Sequence, residues 1–506
     1  MNVLMVCSEF APYAKTGGLA DAVTGLSNAL AARGHDVRVL LPKYAHLPPA
    51  GTAATPLSGA AGKYGYFELG GADARGTPAK TRADRSAAAA KAAPGAAPSQ
   101  AHGNPGAKSR RRSVPTVYLL DLAELTPGGI YHGDERDAGR FIRLAEAASE
   151  LADVLDWRPD VLHCHDWHAA LVPVVQRSRA PSRPIPTVLT LHNIGYQGFF
   201  PDTVLTRFGA DALRDSIATD ALAGGTVNFL RAGLWGADAV TTVSPTYAEE
   251  ITTPAFGMGL EDVLDARPDG VVGILNGVDY DVWSPAHDPY LEARYDALNL
   301  APKYGIKGAL ARRVGLLPDL NAPLLGVVSR LVVQKGIDLV AAALPTILAT
   351  TRASFVCLGS GDAAVAAQLR ALAAANPQRV AFVDGYDEAL AHQIFAGADV
   401  ALVPSRYEPC GLTQMYALRY GTIPVVRATG GLADTIRHFD PLTGIGNGAV
   451  FRDADVGGLL WGVRSALAWF DDPPAWTRVI GNAMAADFSW RKQAKPYESL
   501  YRGLKG

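Results

Sequence analysis

Short apolar runs rich in β-branched residues alternate along the chain with stretches of helical pattern. Continuous apolar runs, rather than strict in-out alternation, belong to strands covered on both faces, so the pattern predicts βαβ units and parallel sheets. One set of strands is predicted at 2–6, 36–41, 117–120, 160–163, 187–191, 239–243 and 271–275. A second set is predicted at 324–328, 354–358, 380–383, 400–403 and 423–426. Between the sets, Asn276-Gly277-Val278-Asp279-Tyr280 runs to Trp283-Ser284-Pro285, a cluster of turn residues. The fold class read from this is α/β, with two doubly wound domains and a boundary between 1–275 and 276–486.

One stretch breaks the pattern. Residues 70–113 contain no Ile, Leu, Val, Met, Phe, Tyr or Trp and are dominated by Ala, Gly, Pro, Ser and basic residues. They cannot bury a core, so a disordered insertion in a surface loop is expected there. The segment carries nine Lys/Arg against two acids, a charge of +7, which leaves −9 for the rest of a chain whose net charge is −2. An acidic folded part argues against a nucleic-acid partner, and any anionic ligand must meet a few cations in a local pocket.

The 506 residues exceed the roughly 100–200 of one domain. With 48% hydrophobic and 19% charged residues, a globally disordered chain is excluded. No run of about eighteen uncharged apolar residues and no leader-like N-terminus is present, so the expected location is the cytoplasm, with no membrane partner. Cys7, Cys164, Cys357 and Cys410 are widely scattered, which favours reduced thiols over a disulfide framework or a zinc ribbon.

Several loops carry candidate chemistry. Lys15-Thr16-Gly17-Gly18-Leu19-Ala20-Asp21 is echoed by Thr429-Gly430-Gly431-Leu432-Ala433-Asp434, and each glycine pair stands between a strand and a helix, where backbone amides can meet an anion. Gly359-Ser360-Gly361 lacks the third glycine of a dinucleotide fingerprint, and Lys15-Thr16 lacks the upstream glycines of a P-loop. His163-Cys164-His165-Asp166-Trp167-His168 closes a strand without a second ligand cluster at zinc spacing, so no metal is assigned and its polar groups are expected to face a ligand cleft. The run 324–328 leads straight into Ser329-Arg330, with Gln334-Lys335-Gly336 following: two cations at the carboxyl end of a strand suit a diphosphate. Val403-Pro404-Ser405-Arg406-Tyr407-Glu408-Pro409-Cys410-Gly411-Leu412-Thr413 repeats the strand, loop and helix pattern, with Glu408 at the turn and amides at the helix start.

Taken together and in order, these motifs, with Leu191-His192-Asn193 and Gly273-Ile274-Leu275-Asn276-Gly277-Val278-Asp279, closely resemble the bacterial glycogen synthase and plant starch synthase family. The resemblance implies the GT-B architecture: two Rossmann-like domains facing across a cleft, with a C-terminal helix, 487–506, crossing back to the first. It implies transfer of glucose from ADP-glucose to the 4-OH at the non-reducing end of an α-1,4-glucan such as glycogen, with retention and without cofactor or metal. Carried over by residue, it makes Arg330 and Lys335 the diphosphate cations. Leu412 and Thr413, after Gly411, offer amides to the distal phosphate, and Tyr386 stacks on adenine. Glu408 and Cys410 lie beside the glucose, Asn276 faces the sugar, and His165 reaches its 6-OH side. Lys15, Gly17 and Gly18 close the phosphate pocket from the first domain.

The charges are consistent with that chemistry. Cleaving the glucose–phosphate bond places negative charge on the diphosphate and positive charge on the ring, which cations and carboxylate or carbonyl groups respectively stabilise. Retention by two carboxylates through a covalent intermediate needs a nucleophile that the sequence does not offer, and the resemblance implies same-face attack with the leaving oxygen taking the acceptor proton. Two positions depart from pattern. Tyr416 stands where many GT-B enzymes carry a second Glu, and Asp137, in Arg136-Asp137-Ala138-Gly139-Arg140-Phe141, sits one place later than the family's aspartate. Competing readings are a UDP-glucose donor, a glucan binder that keeps the fold, and a PLP-dependent phosphorylase.

Overall fold

In the computed structural model, the residues described are 1–47, 54–57, 63–69, 114–122, 125, 128–155, 157–180 and 184–505; the segment 70–113 lies outside them. By internal contacts the chain divides into two units, Met1–Thr241 with Phe256–Val271 and Ala494–Gly506, and Thr242–Ala255 with Val272–Gln493.

In the first unit Asn2–Val6 lies mid-sheet, paired in parallel with Asp36–Pro42 on one side and Val161–His165 on the other. Val3, Leu4, Met5 and Val6 are all fully buried, as a strand covered on both faces requires. Beyond Val161–His165 come Thr187–Leu191 and Ala239–Thr242; beyond Asp36–Pro42 come Thr116–Asp121, Gly65–Leu69 and Ala54–Pro56. The last two are antiparallel additions that the sequence pattern does not announce, being short or half-polar. The run 271–275 yields only the two-residue strand Val272–Gly273.

The C-terminal helix Trp490–Lys505 is tied into the first unit by its second half. Tyr501 Oη is 2.6 Å from His163 Nδ1, Lys505 pairs with Asp160 at 2.8 Å, and the Arg33 fork donates to Glu498 at 2.6 and 2.7 Å. Among the described residues no helix is long and apolar enough to cross a membrane.

The second unit orders its parallel strands Val380–Asp384, Ser354–Gly359, Leu324–Val328, Val400–Val403, Ile423–Arg427 and Ala449–Phe451. Successive strands after Leu324–Val328 go to one side, and from Val400 onward to the other. That makes a switch point between Leu324–Val328 and Val400–Val403, and the first unit has one between Asn2–Val6 and Val161–His165. Chain leaving the carboxyl ends of such strand pairs diverges and opens a crevice. Below the second switch point, Trp283 is stacked between His392 and Tyr416, with ring centroids 3.8 and 3.9 Å away. Tyr416 is therefore a buried core residue with its ring committed to this stack.

Candidate functional site

At the second switch point, Leu324–Val328 ends in Ser329-Arg330 and a 3-10 turn, Val333–Lys335, before the helix Ile337–Thr350. Val400–Val403 ends in the loop that carries Ser405 and Glu408 and leads into the helix Thr413–Arg419. Lys335 Nζ donates to Glu408 Oε2 at 2.5 Å, and Ser405 Oγ donates to the same oxygen at 2.9 Å. Glu408 is 4% exposed, so its charge is held by these two donors rather than by water. Arg330 is exposed. Ser329, Arg330, Lys335, Ser405 and Thr413 line a cavity of about 150 Å³ whose other walls are apolar apart from Thr422. Two cations and the first amides of a helix thus converge where strands end, an arrangement suited to a diphosphate.

Two glycines allow the loops to come this close. Gly336 has φ +66°, and a Cβ there would stand 2.2 Å from Pro404 O. Gly430, with φ +43°, would place a Cβ 1.9 Å from Glu408 O. Cys410 is buried, and desolvation pushes its thiol up to about 12, so it is an uncharged packing group rather than a nucleophile. Asn276 is also buried, near Cys410, and its Oδ1 has no hydrogen-bond partner among the described residues. Tyr386 lies beyond Val380–Asp384 and is 74% exposed.

The first unit places Lys15, Gly17 and Gly18 after Asn2–Val6, and His165 at the end of Val161–His165. His165 is buried, its Nδ1 is 3.1 Å from His192 Nε2, and its Nε2 has no partner among the described residues. Burial, then neighbouring His163 and His192, holds its pKa well below the ordinary imidazole value. Burial likewise lowers His163, His168 and His192 to about 3, so all four rings are neutral near pH 7. Asp166, with φ +55°, accepts the His192 amide at 2.6 Å; burial raises its pKa to about 7 against the pull of the His192 and Asn193 amides. Lys15 pairs with Asp21 at 2.7 Å on a partly exposed surface.

The glycine echo needs a correction: most of these amides are not open to an anion. Thr16 N–H and Gly17 N–H donate to Glu9 Oε2 at 2.6 and 3.2 Å, while Thr16 Oγ1 and Tyr131 Oη both donate to Glu9 Oε1 at 2.6 Å. In the second unit Gly430 N–H donates to Glu250 Oε1 at 3.0 Å, and Gly431 N–H donates to Glu408 O at 3.1 Å. Backbone donors removed from water must be paired, and here carboxylates and a carbonyl of the same unit do it. Gly18 remains as the first residue of the helix Gly18–Ala32. Asp137 is likewise committed to its own turn, accepting from the amides of His132 and Gly133 at 2.8 to 3.1 Å.

Arg330, Lys335, Glu408, Cys410, Gly411, Leu412, Thr413 and Asn276 all belong to the second unit's switch-point loops or the strand-end turn before them. Sequence reasoning missed Glu9, Tyr131, Ser405 and Glu250. Ser405 stood inside a recognised motif, but the other three act through partners that no local pattern announces. Elsewhere in this unit, Asp455 caps the helix Val456–Phe470 by accepting from Gly458 N–H at 2.8 Å.

Comparison with known proteins agrees with this geometry. Residues 2–266 match the family described as Starch synthase catalytic domain, and residues 312–472 match Glycosyl transferases group 1. Glycogen synthases of Acidiphilium cryptum and Paramagnetospirillum magneticum are 43% and 42% identical, covering 100% of this chain and 99% and 98% of theirs. Among solved structures, the catalytic domain of starch synthase IV from Arabidopsis thaliana, bound to ADP and acarbose, aligns with a TM-score of 0.83 and 32% identity over 100% of this chain and 99% of that one. Sucrose-phosphate synthase from Thermosynechococcus elongatus aligns at 0.60 with 19% identity, over 99% of this chain and 98% of that one, a likeness of the GT-B fold alone. With two switch-point sites of this composition and full-length identity above 40%, the chain belongs to the glycogen and starch synthase family of GT-B glycosyltransferases.

Proposed function

We propose that this enzyme transfers glucose from ADP-glucose to the 4-OH at the non-reducing end of an α-1,4-glucan, with retention and release of ADP. The observation that carries the reading is the pairing of half-buried Lys335 with buried Glu408, beside Arg330 at the second switch point. A diphosphate offers Lys335 a stronger anionic partner than one carboxylate. Lys335 and Arg330 then stabilise the charge that grows on the leaving oxygen, and Glu408, released from its lysine, faces the positive sugar ring. The helix-start amides of Leu412 and Thr413, following Gly411, take the distal phosphate, and Tyr386 takes the adenine face. Asn276 and Cys410 pack at the sugar.

In the first unit, the neutral His165 offers a hydrogen bond to a sugar hydroxyl without adding charge, which suits a group beside a developing cation. Lys15 supplies a further cation for the donor phosphates. The leaving phosphate oxygen receives the acceptor proton, so no separate base is required. The starch synthase IV structure, with its ADP and acarbose, supports a nucleotide and glucan pair of this kind. Four buried free thiols are compatible with a reducing cytoplasm.

Incubation with ADP-glucose and glycogen tests the reading, with release of ADP and lengthening of the glucan as the expected result. Turnover of UDP-glucose at a higher kcat/KM would overturn the donor assignment. Binding of glucan without turnover of either donor would overturn the enzyme.

A further inference from the structure

The two loops that carry Lys335 and Glu408 are joined by more than that pair. Arg406 donates from Nη1 and Nη2 to Asp338 Oδ1 and Oδ2 at 2.7 and 2.6 Å, a bidentate fork. Its Nη1 also donates to Val333 O at 2.8 Å, and its backbone N–H donates to Gln334 O at 2.8 Å. Gln334 Nε2 returns to Tyr407 O at 3.3 Å, and Arg427 donates to Arg406 O from the far side. Residues on both sides of Lys335 are thereby tied to the residues just before Glu408.

We propose that the Arg406–Asp338 fork is a positioning clamp that keeps the Lys335 ammonium in register with Glu408 and the diphosphate; this rests on the reading of Lys335 as the diphosphate cation. Lys335 and Glu408 hold each other directly, but a phosphate that competes for the ammonium loosens that bond. The spacing of the loops is then set by the ties at Arg406 and Gln334. A lysine is a point charge on a flexible stem, so its aim depends on where the backbone holds it, whereas a guanidinium fork fixes a plane. Misplacing a catalytic group by about 1 Å costs on the order of a hundredfold in rate. The fork's side chains are 31% and 41% exposed, a setting in which an ion pair adds little to stability. Its effect is therefore geometric, and activity and stability should separate.

The test uses the full chain with ADP-glucose and glycogen, comparing Arg406→Ala and Asp338→Ala alone and in a Lys335→Ala background. Each single variant is expected to lose roughly thirtyfold in kcat at nearly unchanged melting temperature, with Arg406→Lys in between because it keeps the charge but not the fork. In the Lys335→Ala background the further loss is expected to shrink to within about threefold, since there is no longer an ammonium to aim. An equal loss in both backgrounds, or single variants within threefold of wild type, would overturn the clamp. Amide hydrogen exchange supplies a readout independent of donor: Lys335 and Gly336 amides should exchange at least about tenfold faster in Arg406→Ala while the strands stay protected. Unchanged exchange there would overturn the clamp even if the donor proved different, and a wild type inactive on ADP-glucose with faster exchange in the variant would overturn the donor reading alone.

Discussion

In both units the candidate residues leave the sheet at its switch point, yet the two sites are made of opposite materials. The first is a cluster of buried neutral rings, His163, His165, His168 and His192, beside a carboxyl group, Asp166, whose pKa is raised to about 7. The second is an assembly of full charges in pairs, Lys335 with Glu408 and Arg406 with Asp338. Neutral groups can orient hydroxyls beside a cationic sugar without competing with it. Paired charges can be exchanged for a diphosphate and returned when it leaves. On the proposed function the contrast divides the reaction between sugar orientation and phosphate electrostatics, and each prediction below presses on one side of it.

The largest effect is expected from Lys335→Ala. Removing one preorganised charge from a site of this kind costs about 3 kcal/mol in the transition state, a hundredfold or more in kcat. Glucan affinity should hardly change. A kcat within threefold of wild type, with only acceptor affinity reduced, would place the diphosphate elsewhere and erase the contrast.

The first unit should show its neutrality as acid sensitivity. An imidazole whose folded pKa is about 3 and whose unfolded value is 6.5 contributes stability that is fully present above pH 6.5 and is lost as pH falls toward 3. Asp166 works the other way: raised to about 7 from 3.8, it favours the fold most below pH 3.8 and loses that contribution as pH rises toward 7. The rings outnumber the carboxyl, so melting temperature should drop between pH 7 and 5. His168→Phe, which keeps a ring against Tyr131, should flatten that drop by about 2 kcal/mol of stability over the two pH units, the full slope of about 1.4 kcal/mol per unit being reached only below pH 6.5. Melting curves of the variant parallel to wild type across this range would show that His168 is not a buried neutral group.

How far these sites could be read beforehand follows the same division. The strands were legible because runs such as Val3 to Val6 and Leu324 to Val328 are apolar on both faces. The second unit's charges were legible because Lys335 and Glu408 stand at strand ends, where a charge has few structural reasons to be. What holds them was not: Arg406 and Asp338 are 68 positions apart, and nothing in either neighbourhood announces the other. The glycine echo was visible as two turns, while Glu9 and Glu250, which occupy their amides, were invisible because a carboxylate's partner is a tertiary fact. Likewise Thr242–Ala255 belongs to the second unit, with Thr246 Oγ1 and Asp434 Oδ1 2.7 Å apart, although along the chain it falls between segments of the first.

Glu9 offers a finer test within the first unit. Its Oε2 faces amides that can only donate, and its Oε1 faces Thr16 and Tyr131 hydroxyls that can also accept. Glutamine satisfies both sets, with its oxygen toward the amides and its NH2 toward the hydroxyls. Glu9→Gln should therefore stay within about fivefold of wild-type activity, whereas Glu9→Ala removes the acceptor that holds the Lys15 loop to buried Glu9, at about 1 kcal/mol for donors that water can partly reach, and should lose tenfold or more. Equal losses in the two variants would mean that the charge itself, rather than its acceptors, is what the Lys15 loop needs.

The smallest effect is expected at Tyr386, which belongs to neither material: it is uncharged and 74% exposed, beyond the strand Val380–Asp384. A ring so placed has no preorganised electrostatic role, and the adenine contact proposed for it would be the same before and during bond cleavage. Such uniform binding lowers KM without changing kcat. Base stacking on an aromatic ring contributes about 1–3 kcal/mol where it is well formed, and on an open surface the low end applies. Tyr386→Ala should accordingly raise the KM for ADP-glucose about fivefold, leave kcat within twofold and leave the melting temperature unchanged. Tyr386→Phe should behave as wild type, because stacking uses the ring and not the hydroxyl. A fall in kcat with KM unchanged would mean that Tyr386 acts on the transition state, and the second unit's catalytic power would then not rest on its charges alone.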